Sequence, residues 1–464
     1  MKNFSRSVII IAVMDIFVPD WLEKFAEVNE SPIYIVGGYV RNILGGLPPS
    51  DIDIAGRPLP DGLKLPRGWF FATTYRRMGT ALIKCRYRSD IELEYTPFRT
   101  EKYAPGGGHV PVSVSFDADL ESDAERRDFT VNSIYYDIRS HRLVDPFGGA
   151  EDIKKRIMRA VDPERVFSSD GLRLMRLVRI AAETGFGIER ATADEAMKRA
   201  PLLADITPNR KRDELLKILM ADTVYGVEDA HYRGLKLLRE YGFLQYVIPE
   251  LAELGTIAQP SEHHKYDALE HTFRVVRVCP PELRLAALMH DIGKTEAVRR
   301  TGRMVNHDVY GEEMTRRILG EMKFPVKTAD RVARLVRWHM YDKDAKTRSG
   351  KMLVFTARNA DIIDDLETLI RADRAGRGTD EPSPPVRFSE FRKKLTETGA
   401  PLSIGKLKIN GADLMTLGYE GADVRAKLEE LFDMCVLTPE LNKHKKLMKL
   451  ARREEEGQND AKNK

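Results

Sequence analysis

Between residues 33 and about 147 the apolar positions come in short runs bounded by turns: IYIVGG, DIDIA, TALIKCRY, IELEY and TVNSIYYDI. Runs of this kind, rich in β-branched and aromatic residues, predict strands. From Ile153 onward the apolar spacing changes to three and four, as in DGLRLMRLVRIAAE and RDELLKILM, and predicts helices. Pro260 and Ser261 mark one boundary, and the proline-rich run at 381–385 marks a second. The polar tail from Gly457 predicts a frayed end. The expected class is α+β. An N-terminal mixed sheet with helices spans 1–150, an all-helical body 151–260, a histidine-rich helical domain 261–380 and a helical C-terminal segment 381–464.

Composition narrows this little. The 464 residues suffice for about three domains. With 42% hydrophobic and 31% charged residues, disordered, collagen-like and coiled-coil classes are excluded. The 75 basic and 71 acidic residues nearly cancel, so contact with nucleic acid must come from local patches. Cys85, Cys279 and Cys435 lie far apart, which excludes a disulfide framework and a cysteine zinc site and suits a reducing cytoplasm. The apolar run at 8–14 is too short to span a bilayer and has no cleavage site after it. Met14 is the expected natural start, residues 1–13 an upstream extension, and the location cytoplasmic without a membrane partner.

Chemistry first shows at Gly37 and Gly38, which follow an apolar strand and precede a helical segment. Such a turn brings backbone N–H groups close to a phosphate, and it is also a common plain turn. Asp51 and Asp53 follow within twenty residues. In a strand they share one face while Ile52 and Ile54 enter the core. Carboxylates so close raise one another's pKa unless a cation lies between them, and hard oxygen ligands suit Mg²⁺. The strand IELEY offers Glu92 or Glu94 as a third carboxylate on one face. Metals held this way activate a 3′-hydroxyl and stabilise departing pyrophosphate. Further along, RVFSSDGLRLMR predicts a helix with Asp170 and Arg173 on one face, a surface ion pair or a paired acceptor and donor.

The strings GGYVRN, SDIDIA, EYTPFR, RRDFTVNSIYYD from Arg126 and DPFGG from Asp145 resemble the DNA-polymerase-β-like nucleotidyltransferase superfamily. More narrowly, they resemble the class II tRNA nucleotidyltransferase and poly(A) polymerase family. The resemblance implies a polymerase-β-like N-terminal fold with Asp51, Asp53 and Glu94 as its catalytic carboxylates. It places Gly37, Gly38 and Arg41 on the nucleotide, with Arg126, Arg127, Asp128 and Asn132 toward its sugar and triphosphate. Asp170 and Arg173 match the family's E-D-x-x-R motif, which reads the incoming base. Cytosine and adenine both present an amine beside a ring-nitrogen acceptor, so a carboxylate and a guanidinium complement either. Uracil and guanine invert that pattern. Arg176 and Arg179 follow on the same helix and suit phosphate contacts. Asn42 stands where the family has Asp, and Ser169 where the motif has its leading Glu. The loop from Tyr103 through Gly106, Gly107 and Gly108 matches the flexible segment of complete CCA-adding members.

Six of the ten histidines lie between residues 263 and 339. His290 beside Asp291, with further spaced His and Asp, is a metal-site pattern. It resembles an HD-superfamily phosphohydrolase domain, whose four ligand positions would fall on His271, His290, Asp291 and Asp373. His307 and His339 match added phosphate- or second-metal positions. The implied ion is a second divalent metal (Ni, Mn, Co or Mg) that activates water for phosphoester hydrolysis. The segments INGADLMTLGYEGADVRAKLEELF and LNKHKKLMKLA resemble the C-terminal part of bacterial CCA-adding enzymes. There Lys443, His444, Lys445, Lys446 and Lys449 either touch tRNA phosphates or form a solvated helix end.

The expected activity is template-independent addition of CCA to tRNA 3′ ends from CTP and ATP, with an accessory HD hydrolase. Alternatives are CC-only, A-only or poly(A) addition, or a phosphohydrolase carried on an RNA-binding scaffold. The oligomeric state is not legible in the sequence.

Overall fold

The alternating runs of the first third become strands of one eight-stranded sheet in the computed structural model, which describes residues 9–11, 16–104, 111–257, 265–379 and 383–452. The Pro260–Ser261 boundary, the glycines at 106–108, the tail from Gly457 and part of the run at 381–385 lie outside these residues. Two compact units result, 1–253 with 318–324 and 254–317 with 325–464.

In the first unit the strands are β1 (Ile9–Ile11), β2 (Ile33–Val36), β3 (Asp53–Gly56), β4 (Trp69–Tyr75), β5 (Thr80–Cys85) and β6 (Arg88–Pro97). A hairpin, β7 (Thr100–Lys102) with β8 (Ser113–Ser115), stands apart, and β9 (Tyr135–Asp137) and β10 (Arg142–Asp145) complete the sheet. The order is β1-β10-β9-β2-β3-β6-β5-β4, with β3 and β6 parallel and the other neighbours antiparallel. Alternation sends Ile35, Ile54, Ile83 and Leu93 to one buried face. On that side Trp69 stacks on Phe25 of helix α1 (Asp20–Glu27). Asp53 and Glu94, in register on parallel neighbours, share the other face.

Two local expectations are corrected. The run TVNSIYYDI is not one strand: Thr130–Asn132 forms a 3₁₀ turn and only Tyr135–Asp137 is sheet. Asp128 Oδ1 accepts from Phe129 N and Asn132 Nδ2, which folds the chain back on itself ahead of the strand. The segment RVFSSDGLRLMR is not one helix either. After α2 (Gly38–Gly45), α3 (Leu120–Glu125) and α4 (Gly149–Lys154), α5 (Pro163–Ser169) stops at Asp170 and α6 (Leu172–Thr184) begins anew. Asp170 is extended and its Oδ1 accepts from Leu172 N at 3.0 Å. At Gly171 a Cβ would lie 2.9 Å from the Leu202 carbonyl, so the break needs glycine.

The second unit is helical. His271 and Asp373 lie in Ala268–Val278 and Ile363–Gly376, His307 opens His307–Glu321, and His290, Asp291 and His339 directly follow Arg284–Met289 and Val326–Trp338. Ser349–Arg358, Phe388–Glu397, Ala422–Leu437 and His444–Ala451 close a separate apolar cluster around Leu395, Leu431, Phe432 and Leu447. Lys445, Lys446 and Lys449 are exposed on the last of these helices. Among the described residues no helix is long and apolar enough to cross a membrane.

Two candidate active sites

The first site sits where β2 ends. Gly37 takes φ +83°, and a Cβ there would lie 3.7 Å from Asp53 Oδ2. At Gly38 a Cβ would meet Ser50 Oγ at 3.0 Å. The turn therefore runs directly beside the carboxylates and hands the chain to α2. Asp53 is the first residue of β3, flanked in register by Val36 and Glu94. Asp51 precedes the strand and is exposed. Burial, then the neighbouring Glu94 and Asp51 charges, raise the Asp53 carboxyl to about 6, against partial relief from Arg127 and Arg176. A carboxylate held this high is under-compensated by the protein, and the oxygen donors present fit a hard divalent cation. Glu92 and Glu94 part company here. Lys84 pairs with Glu92 at 2.7 Å, and Glu94 adjoins Asp53.

Behind the carboxylates lies a buried polar chain. Arg176 donates Nε and Nη2 to Asp128 Oδ2 at 2.9 and 2.6 Å. Burial opposes the Asp128 charge, but Arg176, Arg173 and the Asn132 amide outweigh it and hold the carboxyl well below its usual range. Asn132 Oδ1 accepts from Arg41 Nη1 at 2.8 Å, and Arg41 Nη2 reaches Tyr225 Oη at 3.1 Å. Asn42, the departure from the family's Asp, accepts from Arg41 Nε and Nη2. Arg126 and Arg127 both pair with Asp123, a fully buried carboxylate on α3. Arg179 is committed to Glu183 and Glu214.

Arg173 is fixed although Ser169 replaces the motif's Glu. Its Nη1 donates to Ser169 Oγ at 3.2 Å, and its Nη2 to the Arg126 carbonyl at 2.9 Å. Arg173, Ser169 and Arg126 line a cavity of about 520 Å³, with Tyr103 and Glu101 from the β7 hairpin on its other wall. Sequence reasoning missed Asp123, Glu101 and Tyr225, because acids on a short helix or hairpin look like solvent-facing charge until their partners are known.

The second site is enclosed. His271, His290, Asp291, His307, His339 and Asp373 are all buried. Asp291 Oδ2 lies 3.2 Å from His290 Nε2 and 3.6 Å from His271 Nε2. Its Oδ1 faces His307 and His339 at 3.4 and 3.9 Å. Asp373 Oδ1 meets His271 Nε2 at 2.9 Å. His290, His307 and His339 each place Nδ1 against the carbonyl three residues earlier, Ala287, Met304 and Val336. That bond puts the proton on Nδ1 and aims each Nε2 lone pair inward. His290 Nε2 is buried without a hydrogen-bond partner, as expected of an atom that awaits a cation. His271, His290 and Asp291 form one potential metal group, and Asp291, His307 and His339 a second. Burial first, then the other two imidazoles, lower His339 to about 3. Lys294, not singled out by the sequence reading, lies 2.6 Å from Asp291 Oδ2, one helical turn after it.

Comparison with known proteins places family models over the regions that hold both sites. The poly A polymerase head domain matches residues 33–159, the probable RNA- and SrmB-binding site of polymerase A matches 185–254, and the HD domain matches 268–376. A CC-adding tRNA nucleotidyltransferase of Thermus thermophilus is 31% identical over 86% of this chain and 88% of its own. An A-adding tRNA nucleotidyltransferase of Deinococcus radiodurans is 33% identical over 74% of this chain and 76% of its own. The crystal structure of the Bacillus stearothermophilus CCA-adding enzyme with CTP covers 94% of this chain and 97% of its own, with a TM-score of 0.65 at 24% identity, and so shares the fold. Nucleotidyltransferases of this kind generally use divalent metals. With a head, an RNA-binding region and an HD domain in this order, the chain belongs to the tRNA nucleotidyltransferase and poly(A) polymerase family.

Proposed function

We propose that this protein adds CCA to the 3′ end of tRNA, using CTP and ATP, and that its HD site hydrolyses phosphoesters. One observation carries the first reading: Asp53 and Glu94 adjoin in register beside the Gly37–Gly38 turn, with Asp53 raised to about 6. Asp51, Asp53 and Glu94 would hold Mg²⁺, which activates the 3′-hydroxyl and steadies the leaving pyrophosphate. The turn carries the triphosphate on backbone N–H groups. Asp170 and Arg173 complement the base edge, while Asp128, held by Arg176 and Asn132, faces the sugar. Arg41 positions Asn132.

In this reading 1–150 is catalytic, 151–260 binds nucleotide and tRNA, 261–380 is the HD module and 381–464 touches tRNA. His271, His290, Asp291 and Asp373 hold the HD metal, with His307 and His339 completing a second position beside Asp291. The substrate, tRNA, places the enzyme in the cytoplasm. Because relatives include CC-adding and A-adding enzymes, the product is the decisive test. Purified protein is incubated with tRNA transcripts lacking one, two or all three terminal nucleotides and with each labelled nucleotide. Completion of all three transcripts supports CCA addition. Stalling after the second C, growth only on transcripts lacking the final A, or a ladder of A residues would replace it.

A further inference from the structure

The catalytic face of the sheet does not end at Glu94. Registered neighbours share a face, so Leu82 on β5 and Thr73 on β4 continue the row of Asp53 and Glu94 outward. The next row runs from Glu92 through Lys84 to Phe70, and Tyr75 flanks Thr73 on the other side. Across two strand spacings the edge lies about 10 Å from Glu94. On the opposite face Trp69 is packed against α1, but on this one Phe70 is 36% and Tyr75 60% exposed. Arg86 lies over the Phe70 ring at 5.7 Å. Between Arg67 and Arg88 the chain carries six basic residues and no acidic one.

Reaction geometry gives this surface a direction. The glycine turn lies on the β2 side of Asp53, so the triphosphate, and the pyrophosphate that leaves, belong on that side. In-line displacement brings the attacking hydroxyl from the opposite side, which is the side of β6, β5 and β4. Exposed rings interleaved with arginines suit a single strand, since any base stacks on a ring and phosphates meet the guanidinium groups. We propose that this open face, running from Glu94 to Phe70 and Tyr75 at the sheet edge, receives the 3′-terminal strand of the RNA that is extended; the inference rests on the function proposed above.

The test is steady-state kinetics on a tRNA transcript lacking CCA, with tRNA and CTP varied separately. Phe70→Ala combined with Tyr75→Ala should raise KM for tRNA about tenfold while KM for CTP holds, a split that general loss of fold would not produce. Arg86→Glu and Arg76→Glu should each flatten the dependence of log KM for tRNA on log salt by about one. A tRNA KM equal to wild type in all these variants overturns the platform while leaving nucleotide addition in place. Sedimentation supplies a second check. A wild-type dimer that the edge substitutions convert to monomer would assign the face to a second copy of the chain and overturn an RNA role. If the wild type extends no RNA with any nucleotide, the proposed function fails and the platform falls with it.

Discussion

The head and the HD domain group their candidate metal ligands in opposite ways. In the head the candidate donors gather at one open end of the sheet: Asp53 on β3 and Glu94 on β6 in register, with Asp51 just ahead of β3. Burial first, and then the Glu94 and Asp51 charges, leave Asp53 raised and only partly relieved by Arg127 and Arg176. In the HD domain the candidate donors lie within helices or just past their ends, and His271, His290, Asp291 and His339 are at most 2% exposed. There each charge is balanced from within, by imidazoles and Lys294 around Asp291, and three ring orientations are set by backbone carbonyls. A site that must admit a polymer and a triphosphate is kept open and completed by its substrates. In the proposed function the HD site, which takes a small phosphoester, is by contrast completed by the protein itself. The comparison teaches that the head should fail through chemistry, and the HD site through both chemistry and packing.

The sharpest way to break this contrast is Asp53→Ala. Nucleotide addition should fall at least about a thousandfold, because several kcal/mol of metal-borne charge stabilisation is lost. tRNA binding, read by filter retention, should change little. A parallel loss of affinity would make Asp53 a folding or RNA-contact residue.

The complementary change is Ala at both His290 and Asp291. Hydrolysis of small phosphoesters such as 2′,3′-cyclic nucleotides, assayed with Mg²⁺, Mn²⁺, Ni²⁺ and Co²⁺, should vanish while nucleotide addition persists. Because the pair is buried, the melting temperature should also drop, unlike that of Asp53→Ala. A variant that stays folded by circular dichroism yet loses nucleotide addition would show the two sites to be coupled.

A smaller effect is expected at Arg173. Its replacement by Ala removes the donor for the base edge, and unpaired buried groups of this kind discriminate by about 10- to 100-fold. The ratio of kcat/KM for CTP and ATP over UTP and GTP should shrink by that factor. Unaltered ratios would take base reading away from this helix.

How much of this was legible in the sequence depends on how local each contact is. The RRD string and the His290–Asp291 pair are short-range patterns that stay together in the fold, whereas of the Asp-x-Asp pair only Asp53 enters the strand and Asp51 falls just ahead of it. Glu92 and Glu94 could not be separated from spacing alone, since both point to one face; a cross-strand lysine, Lys84, decides it. The break at Asp170–Gly171 was written in an Asp-Gly pair, but the apolar period on either side of it masked the turn. Asp123 and Tyr225 needed the tertiary structure, because Tyr225 meets Arg41 from 184 positions away.

The least effect, and the one that reads the under-compensated Asp53 carboxylate most directly, is on pH. Asp53 lies near 6 in the fold against an ordinary 3.8, so the metal-free folded state holds its proton more tightly than the unfolded chain does. With more protons bound in the folded state, stability is greatest on the acid side and declines as pH rises from about 4 through about 6. A divalent cation needs the ionised carboxylate and competes with that proton, so its grip should weaken below about pH 6 and be complete above about pH 7. The rise in melting temperature on adding Mg²⁺ should therefore be larger at about pH 7.5 than at about pH 5. Asp53→Asn, which cannot ionise, should lose most of that difference, whereas Asp291→Asn, in a site already balanced by Lys294 and the imidazoles, should keep it. An equal Mg²⁺ effect at both pH values in the wild type would mean that the head carboxylates are neutralised by the protein itself, and the contrast between an open, under-compensated site and a closed, self-compensated one would collapse.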